Sequence, residues 1–123
     1  YIFNIFNNNF DLFKNIINSS ESNILFSNSL ILKNGNYLQA ININNGNTFW
    51  LINDDRISKK SEILAIRNTN TYIEIFLSNG DVLEIKNKEL VAVNNLNLGK
   101  VKKISFERDN IIVSSESGKT IIF

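Results

Sequence analysis

Three times this chain runs a stretch of β-branched and aromatic residues into a polar residue followed by glycine, then leaves through another such stretch. Leu30-Ile31-Leu32-Lys33 enters Asn34-Gly35 and continues as Asn36-Tyr37-Leu38-Gln39-Ala40-Ile41. Ile73–Ser78 enters Asn79-Gly80 and continues as Asp81–Ile85, while Ile111–Glu116 enters Ser117-Gly118 and continues as Lys119–Phe123. Asn-Gly between β-formers is a strong hairpin signal, because the tight type I′ turn needs positive φ at both central residues. Each stretch is therefore read as an antiparallel hairpin. Further strands are expected at Ile63–Arg67, Leu90–Val93 and Val101–Glu107. Glu74 and Glu84 fall between apolar neighbours, a period of two that implies one wet face. Helical spacing of Phe10, Phe13, Ile16 and Ile17 allows one short helix at Phe10–Ile17, in competition with a turn or short strand.

The hairpin glycines Gly35, Gly80 and Gly118 lie 45 and 38 residues apart, a spacing in the range of four-stranded propeller blades. A fainter echo comes earlier, where Phe3-Asn4-Ile5 followed by Asn7-Asn8 matches Ile41-Asn42-Ile43 followed by Asn45-Gly46. The fold expected is all-β: antiparallel four-stranded blades of a partial β-propeller, about three of them. The chain reads as a single β domain over 1–123 with units near 1–14, 22–52, 62–93 and 99–123. Propellers close with four to eight blades. Three imply more chain elsewhere, association of copies, or a smaller fold.

The stretch from Asn34 to Trp50 resembles the quinoprotein-type (PQQ-like) β-propeller repeat. That repeat runs aspartate-glycine, a strand ending alanine-leucine-aspartate, a threonine-glycine turn, and a tryptophan four residues past the glycine. Here Gly35, Ala40-Ile41-Asn42, Gly46 and Trp50 stand in those places, with Asn42 for the aspartate. Ile112–Ile121, around Gly118, is similar to the first half of the repeat, and the unit around Gly80 keeps only the hairpin. Gly46 is expected to turn the chain from the hairpin toward the next blade, Trp50 to wedge between blades, and Ala40 to sit where sheets pack closely. The resemblance is nearer the non-catalytic scaffolds of that family, the BamB type of bacterial outer-membrane assembly, than the quinone-dependent dehydrogenases. The dehydrogenases hold cofactor and calcium with acidic residues and often a cysteine pair; this chain has no Cys, and its acidic residues are scattered.

Composition narrows the chemistry further. With no Cys and no His, thiol and imidazole catalysis, most zinc sites and any disulfide framework drop out. Thirteen basic against twelve acidic residues leave a net charge of +1, without the basic excess a nucleic-acid binder shows. Lys59-Lys60 and Lys100, Lys102 and Lys103 are read as solvated loop charges. No apolar run reaches the length of a membrane span. The opening Tyr1–Phe6 has neither Met nor a signal-peptide pattern, so the expectation is a chain that begins after processing or inside a longer protein. Twenty-three Asn and twenty Ile are attributed to base composition of the gene, Asn serving in turns where Asp or Gly is commoner.

Several constellations offer chemistry in competition with plain structural roles. Asp54-Asp55, in the polar loop after Trp50-Leu51-Ile52, offers a cation site or dyad but reads better as a loop preceding Arg56. Glu74 and Glu84 could face each other as a glycosidase pair, yet nothing else of a sugar-cleaving site is visible. Ser117-Gly118-Lys119-Thr120 imitates the end of a phosphate loop, but Val113 occupies the place of its first glycine and strand follows where a helix is needed. Asn4, Asn8 and other Asn-rich turns are compositional before they are sugar-contacting amides. Tyr37, Phe49, Trp50 and Tyr72 could form a stacking platform for sugars or bases, though such residues are more often core.

The sequence thus implies no catalytic residue, no cofactor and no metal. It implies a non-enzymatic protein-interaction scaffold of the bacterial cell envelope, periplasmic by resemblance alone. Its partners would be other proteins, further copies, or remaining blades, with neither nucleic acid nor a membrane span. Asn53, Asp54, Asp55 and Arg56 are its candidate interaction residues. A carbohydrate-binding or adhesive β module and a virion structural protein are the alternatives.

Overall fold

The computed structural model describes residues 20–123, which form eleven strands and no helix. They are β1 (Ser22–Phe26), β2 (Ser29–Asn34), β3 (Tyr37–Asn42), β4 (Thr48–Asn53), β5 (Ile63–Asn68), β6 (Ile73–Leu77), β7 (Asp81–Lys86), β8 (Glu89–Asn95), β9 (Val101–Glu107), β10 (Asn110–Ser115) and β11 (Thr120–Ile122). The helix considered at Phe10–Ile17, the echo at Phe3-Asn4-Ile5 and the 1–14 unit lie outside the described residues. Every ladder is antiparallel and joins consecutive strands, giving sheets β1-β2-β3-β4, β5-β6-β7-β8 and β9-β10-β11. Two compact units result, one ending at Lys59 and one from Lys60 to Phe123.

In the first unit the central strands bury both faces. Leu30, Ile31, Leu32, Leu38, Ala40 and Ile41 are all buried, each large side chain contributing roughly 1.5–3 kcal/mol by leaving water. Continuous apolar runs such as Leu30-Ile31-Leu32 follow from that two-sided burial. Lys33 is also wholly buried: its Nζ turns back to donate to the Gly35 carbonyl at 2.7 Å. The Glu21 carboxylate accepts the Gly35 N–H at 2.9 Å, and the Glu21 N–H donates to Asn34 Oδ1 at 2.7 Å. Burial pushes the Lys33 amine below its ordinary range, partly offset by attraction to Glu21. β4 is the sheet's edge. Trp50 there is half-buried opposite Ala40, while Phe49 and Leu51 are 40% and 51% exposed.

In the second unit, one face of the β5–β8 sheet packs against the β9–β11 sheet. Ala65, Phe76 and Val82 meet Val101, Ile104 and Val113 in a common core, with Phe106 packed against it. Sequence alternation places Glu74 on a wet face; the structure buries it instead. β6 is covered on both sides, and Glu74 survives there because Arg67 of the adjacent strand neutralises it.

The turns correct the expected type. Gly35 is the first of two central residues and the only one of the pair with positive φ (58°), the type II′ pattern. Gly80 and Gly118 each occupy the third position of a three-residue turn. Their N–H groups donate to Leu77 and Ser115 carbonyls at 3.0 and 3.1 Å, and their φ values are 92° and 91°. Positive φ at both central positions occurs between Lys86 and Glu89, at Asn87 (52°) and Lys88 (69°), where no glycine marks it. Gly46 does not lead toward another sheet. Its N–H donates to the Asn42 carbonyl at 2.8 Å within the loop joining β3 to β4. The edge strands β4 and β8 each carry a bulge, leaving Phe49 and Val91 as unpaired extra residues, which roughens edges that would otherwise invite further strands.

Candidate functional site

The loop after β4 is a polar knot bound to the β2–β3 turn. Asn53 proves to be the last residue of β4, paired with Tyr37, and not a loop residue as expected. Asp54 opens the loop. Its carboxylate accepts from the Arg56 backbone N–H (2.9 Å), Nε (3.0 Å) and a terminal guanidinium nitrogen (2.9 Å). Those hydrogen bonds hold the Asp54 carboxyl below its usual range and raise the Arg56 guanidinium further. Asp55 Oδ1 accepts from Asn36 Nδ2 at 3.0 Å, tying the loop to the β2–β3 turn, and buried Ile57 anchors its far end. Asn53, Asp55 and Arg56 remain exposed. The loop therefore presents charged groups on a preorganised frame, which lowers the entropy lost on binding.

Glu74 and Glu84 do stand opposite each other across the β6–β7 ladder, but each is committed elsewhere. Arg67 clasps Glu74 through Nε at 2.8 Å and a second, shorter contact from its terminal nitrogen. Asn94 donates to Glu84 at 2.6 Å. A retaining or inverting pair needs one carboxyl free to give a proton; this arrangement offers neither. Among the described residues no group of three or more acidic, His or Cys side chains could hold a metal.

A different feature, which no motif announced, lies in the second unit. Arg67 lies over two rings, its guanidinium carbon 5.9 Å from the Phe76 centroid and 5.4 Å from that of Phe106. Beyond it an open hollow of about 510 Å³ is lined by Arg67, Asn68, Asn70, Phe106, Arg108 and Asp109, among others. A second, of about 330 Å³, shares Asn68-Thr69-Asn70 and adds Tyr72 and Lys86. The shared ridge is the β5–β6 loop. The Thr69 hydroxyl closes it, donating to the Tyr72 carbonyl (2.8 Å) and accepting the Thr71 and Tyr72 N–H groups (3.2 and 3.0 Å). Asn68 and Asn70 are left exposed on either side. Opposite them Arg108 holds φ 58° at the tip of the β9–β10 turn, a conformation unusual for a long side chain.

Of the four aromatics that could form a platform, three lie in the first unit and one in the second. Tyr37, Phe49 and Trp50 belong to the first sheet, and Tyr72 lines the smaller hollow. None of the four is fully buried, against the expectation of core positions.

No protein-family pattern matches the chain, and neither does any curated protein sequence. Solved structures do. BamB from Moraxella catarrhalis superposes with a TM-score of 0.59 at 16% identity, over 81% of this chain and 30% of its own. The computationally designed Ika4 protein gives 0.54 at 14% identity, over 82% of this chain and 62% of its own. The chain thus spans less than two thirds of either structure. At such identities the likeness is one of fold: an all-β chain of the β-propeller kind, in antiparallel sheets of four, four and three strands.

Proposed function

We propose that this chain is a non-enzymatic, BamB-like protein-interaction scaffold of the bacterial cell envelope. The observation that carries the reading is the superposition on BamB over four fifths of the chain. Fold likeness alone is a loose guide to function, and the site chemistry agrees with it: the carboxylates with geometric promise are tied up, and the exposed charges sit on fixed turns. Binding would run through loop complementarity at Asn53, Asp54, Asp55 and Arg56, with sheet edges secondary. The test is photo-crosslinking from position 55 in cells making tagged full-length protein, combined with fractionation. A discrete protein adduct in the envelope fraction, weakened by Arg56→Glu, is expected. A cytosolic protein with no adduct from that position would overturn the reading.

A second reading, carbohydrate binding, is favoured by the twin hollows. Exposed amides at Asn68 and Asn70 flank a ridge with Phe106 on one side and Tyr72 on the other, a combination that hydrogen-bonds hydroxyls and stacks on sugar faces. Glycan-array binding abolished by Phe106→Ala together with Asn70→Ala would establish it in place of the first.

A further inference from the structure

The sequence carries three Asn-Gly pairs, at Asn34-Gly35, Asn45-Gly46 and Asn79-Gly80. In such a pair the glycine nitrogen can attack the asparagine Cγ, forming a C–N bond and expelling ammonia. Water then opens the five-membered imide to aspartate or isoaspartate. No oxidation or reduction is involved. The next residue is glycine in all three cases, so the intrinsic sequence preference is shared, and the folded environment decides which reacts.

Asn79 is held at both ends. Its Nδ2 donates to Asp81 Oδ2 at 2.9 Å and its Oδ1 accepts the Asp81 N–H at 3.0 Å. Its turn is stapled from outside, since the Leu96 N–H donates to the Gly80 carbonyl and the Val101 N–H to that of Ser78, at 2.9 and 2.7 Å. Asn34 is half-buried, and its Oδ1 accepts the Glu21 N–H. The attacking Gly35 nitrogen is itself engaged by the Glu21 carboxylate. Rotating Asn34 toward the next nitrogen breaks its contact with Glu21, while rotating Asn79 breaks both of its bonds to Asp81 inside a turn whose backbone other segments hold closed.

Asn45 differs. It is exposed, as are Asn44 and Asn47 beside it. Its Oδ1 accepts only the Asn47 N–H two residues on, at 2.9 Å, and among the described residues nothing holds its Nδ2. The Gly46 N–H is bonded to the Asn42 carbonyl at 2.8 Å, a contact internal to the same loop. The loop's tie to another element is made at its opposite end, where buried Ile43 donates its N–H to the Asn28 carbonyl at 3.0 Å, so the Asn45-Gly46 corner can open with that contact kept, and local openings of this kind lie at the low end of the stability scale.

We infer that Asn45 is the chain's preferential site of spontaneous deamidation and isoaspartate formation. Isoaspartate adds a backbone methylene in the β3–β4 loop. That insertion displaces the Gly46-to-Asn42 bond and its companion, the Asn42 N–H to Asn47 carbonyl bond at 2.8 Å. The new carboxylate also takes the net charge from +1 to neutral, and the end of β3–β4 pairing loosens first.

The experiment is peptide mapping by mass spectrometry of the 123-residue protein aged at mildly alkaline pH, native and in urea. In the native protein the Asn45 peptide should convert first, with Asn34 and Asn79 slower by roughly tenfold or more, matching the rarer openings they require. In urea the three rates should converge. Asn45→Gln should remove the fast charge-variant phase, while Asn34→Gln should leave it intact. Earlier conversion of Asn34 or Asn79 in the native protein would overturn the inference. So would an unchanged spread of rates in urea, which would place the preference in sequence and not in fold.

Discussion

Replacing Lys88 by glycine should make this protein more stable, although it removes an exposed charged side chain and creates no contact. Lys88 sits at φ 69° beside Asn87 at 52°, the one described turn with left-handed backbone at both central positions. Such a conformation costs an ordinary L-residue roughly 1–2 kcal/mol. Glycine removes that penalty but gives the unfolded chain extra freedom worth roughly 0.5–1 kcal/mol. The two ranges differ by about 0–1.5 kcal/mol, and the centre of that span is a gain of about 0.5–1 kcal/mol. Lys88 makes no hydrogen bond or ion pair among the described residues, so nothing offsets it. If the Lys60–Phe123 unit melts as one body, the midpoint should rise by about 2–8 °C. Calorimetric melts at pH 7 of wild type, Lys88→Gly and Lys88→Ala decide the matter. The alanine variant loses the same charge and keeps the strained φ, so it should show no gain. A glycine variant that melts with, or below, the alanine variant would refute the reasoning.

Other expectations follow from the same geometry. Gly80→Ala should destabilise by about 1–2 kcal/mol or more, because φ is 92° and an added Cβ would lie 3.2 Å from the Gly99 carbonyl oxygen; urea midpoints would show it. Glu74→Gln should cost about 1–2 kcal/mol by leaving Arg67 without its carboxylate, the pair being only 26% and 12% exposed; a loss within error in urea unfolding would mean the pair is merely superficial. Lys33→Met should stabilise the protein most at neutral pH. The folded-state amine releases its proton below the ordinary value of 10.5 while the unfolded chain holds it to that value. Wild-type stability from this group therefore rises with pH across that window, and the advantage of the variant should shrink toward pH 10, measured as the difference in urea midpoints.

The hairpins were legible because β-branched residues and glycine speak locally. Leu30–Ile41, Ile73–Ile85 and the final pair of strands all form where their composition places them. The turn types were not, since an Asn-Gly dipeptide does not set its own register. Whether the glycine stands first in a two-residue turn, like Gly35, or third in a longer one, like Gly80, depends on which flanking residues pair. Asn53 reads as loop because it opens the polar run Asn53-Asp54-Asp55-Arg56, and only its pairing with Tyr37 makes it the last residue of β4. Glu74 was placed in water because a two-residue period describes one strand alone, and its partner Arg67 comes from the next strand over. The hollows escaped for the same reason: Arg67 and Phe106 meet across two sheets, and no short window of sequence contains both.

The meander connectivity of all three sheets also sets how the protein must fold. Each ladder is between neighbours in the chain, joined within the sheets by connections of two to five residues, the longest being the β3–β4 loop. Most native contacts are therefore close in sequence, and the entropy of closing large loops, which slows most all-β proteins, enters only when sheets dock. Hairpins can form on the microsecond scale and merge within a sheet before any distant segment arrives. A substitution in one turn should then delay its own sheet while leaving the others' early protection from hydrogen exchange unchanged.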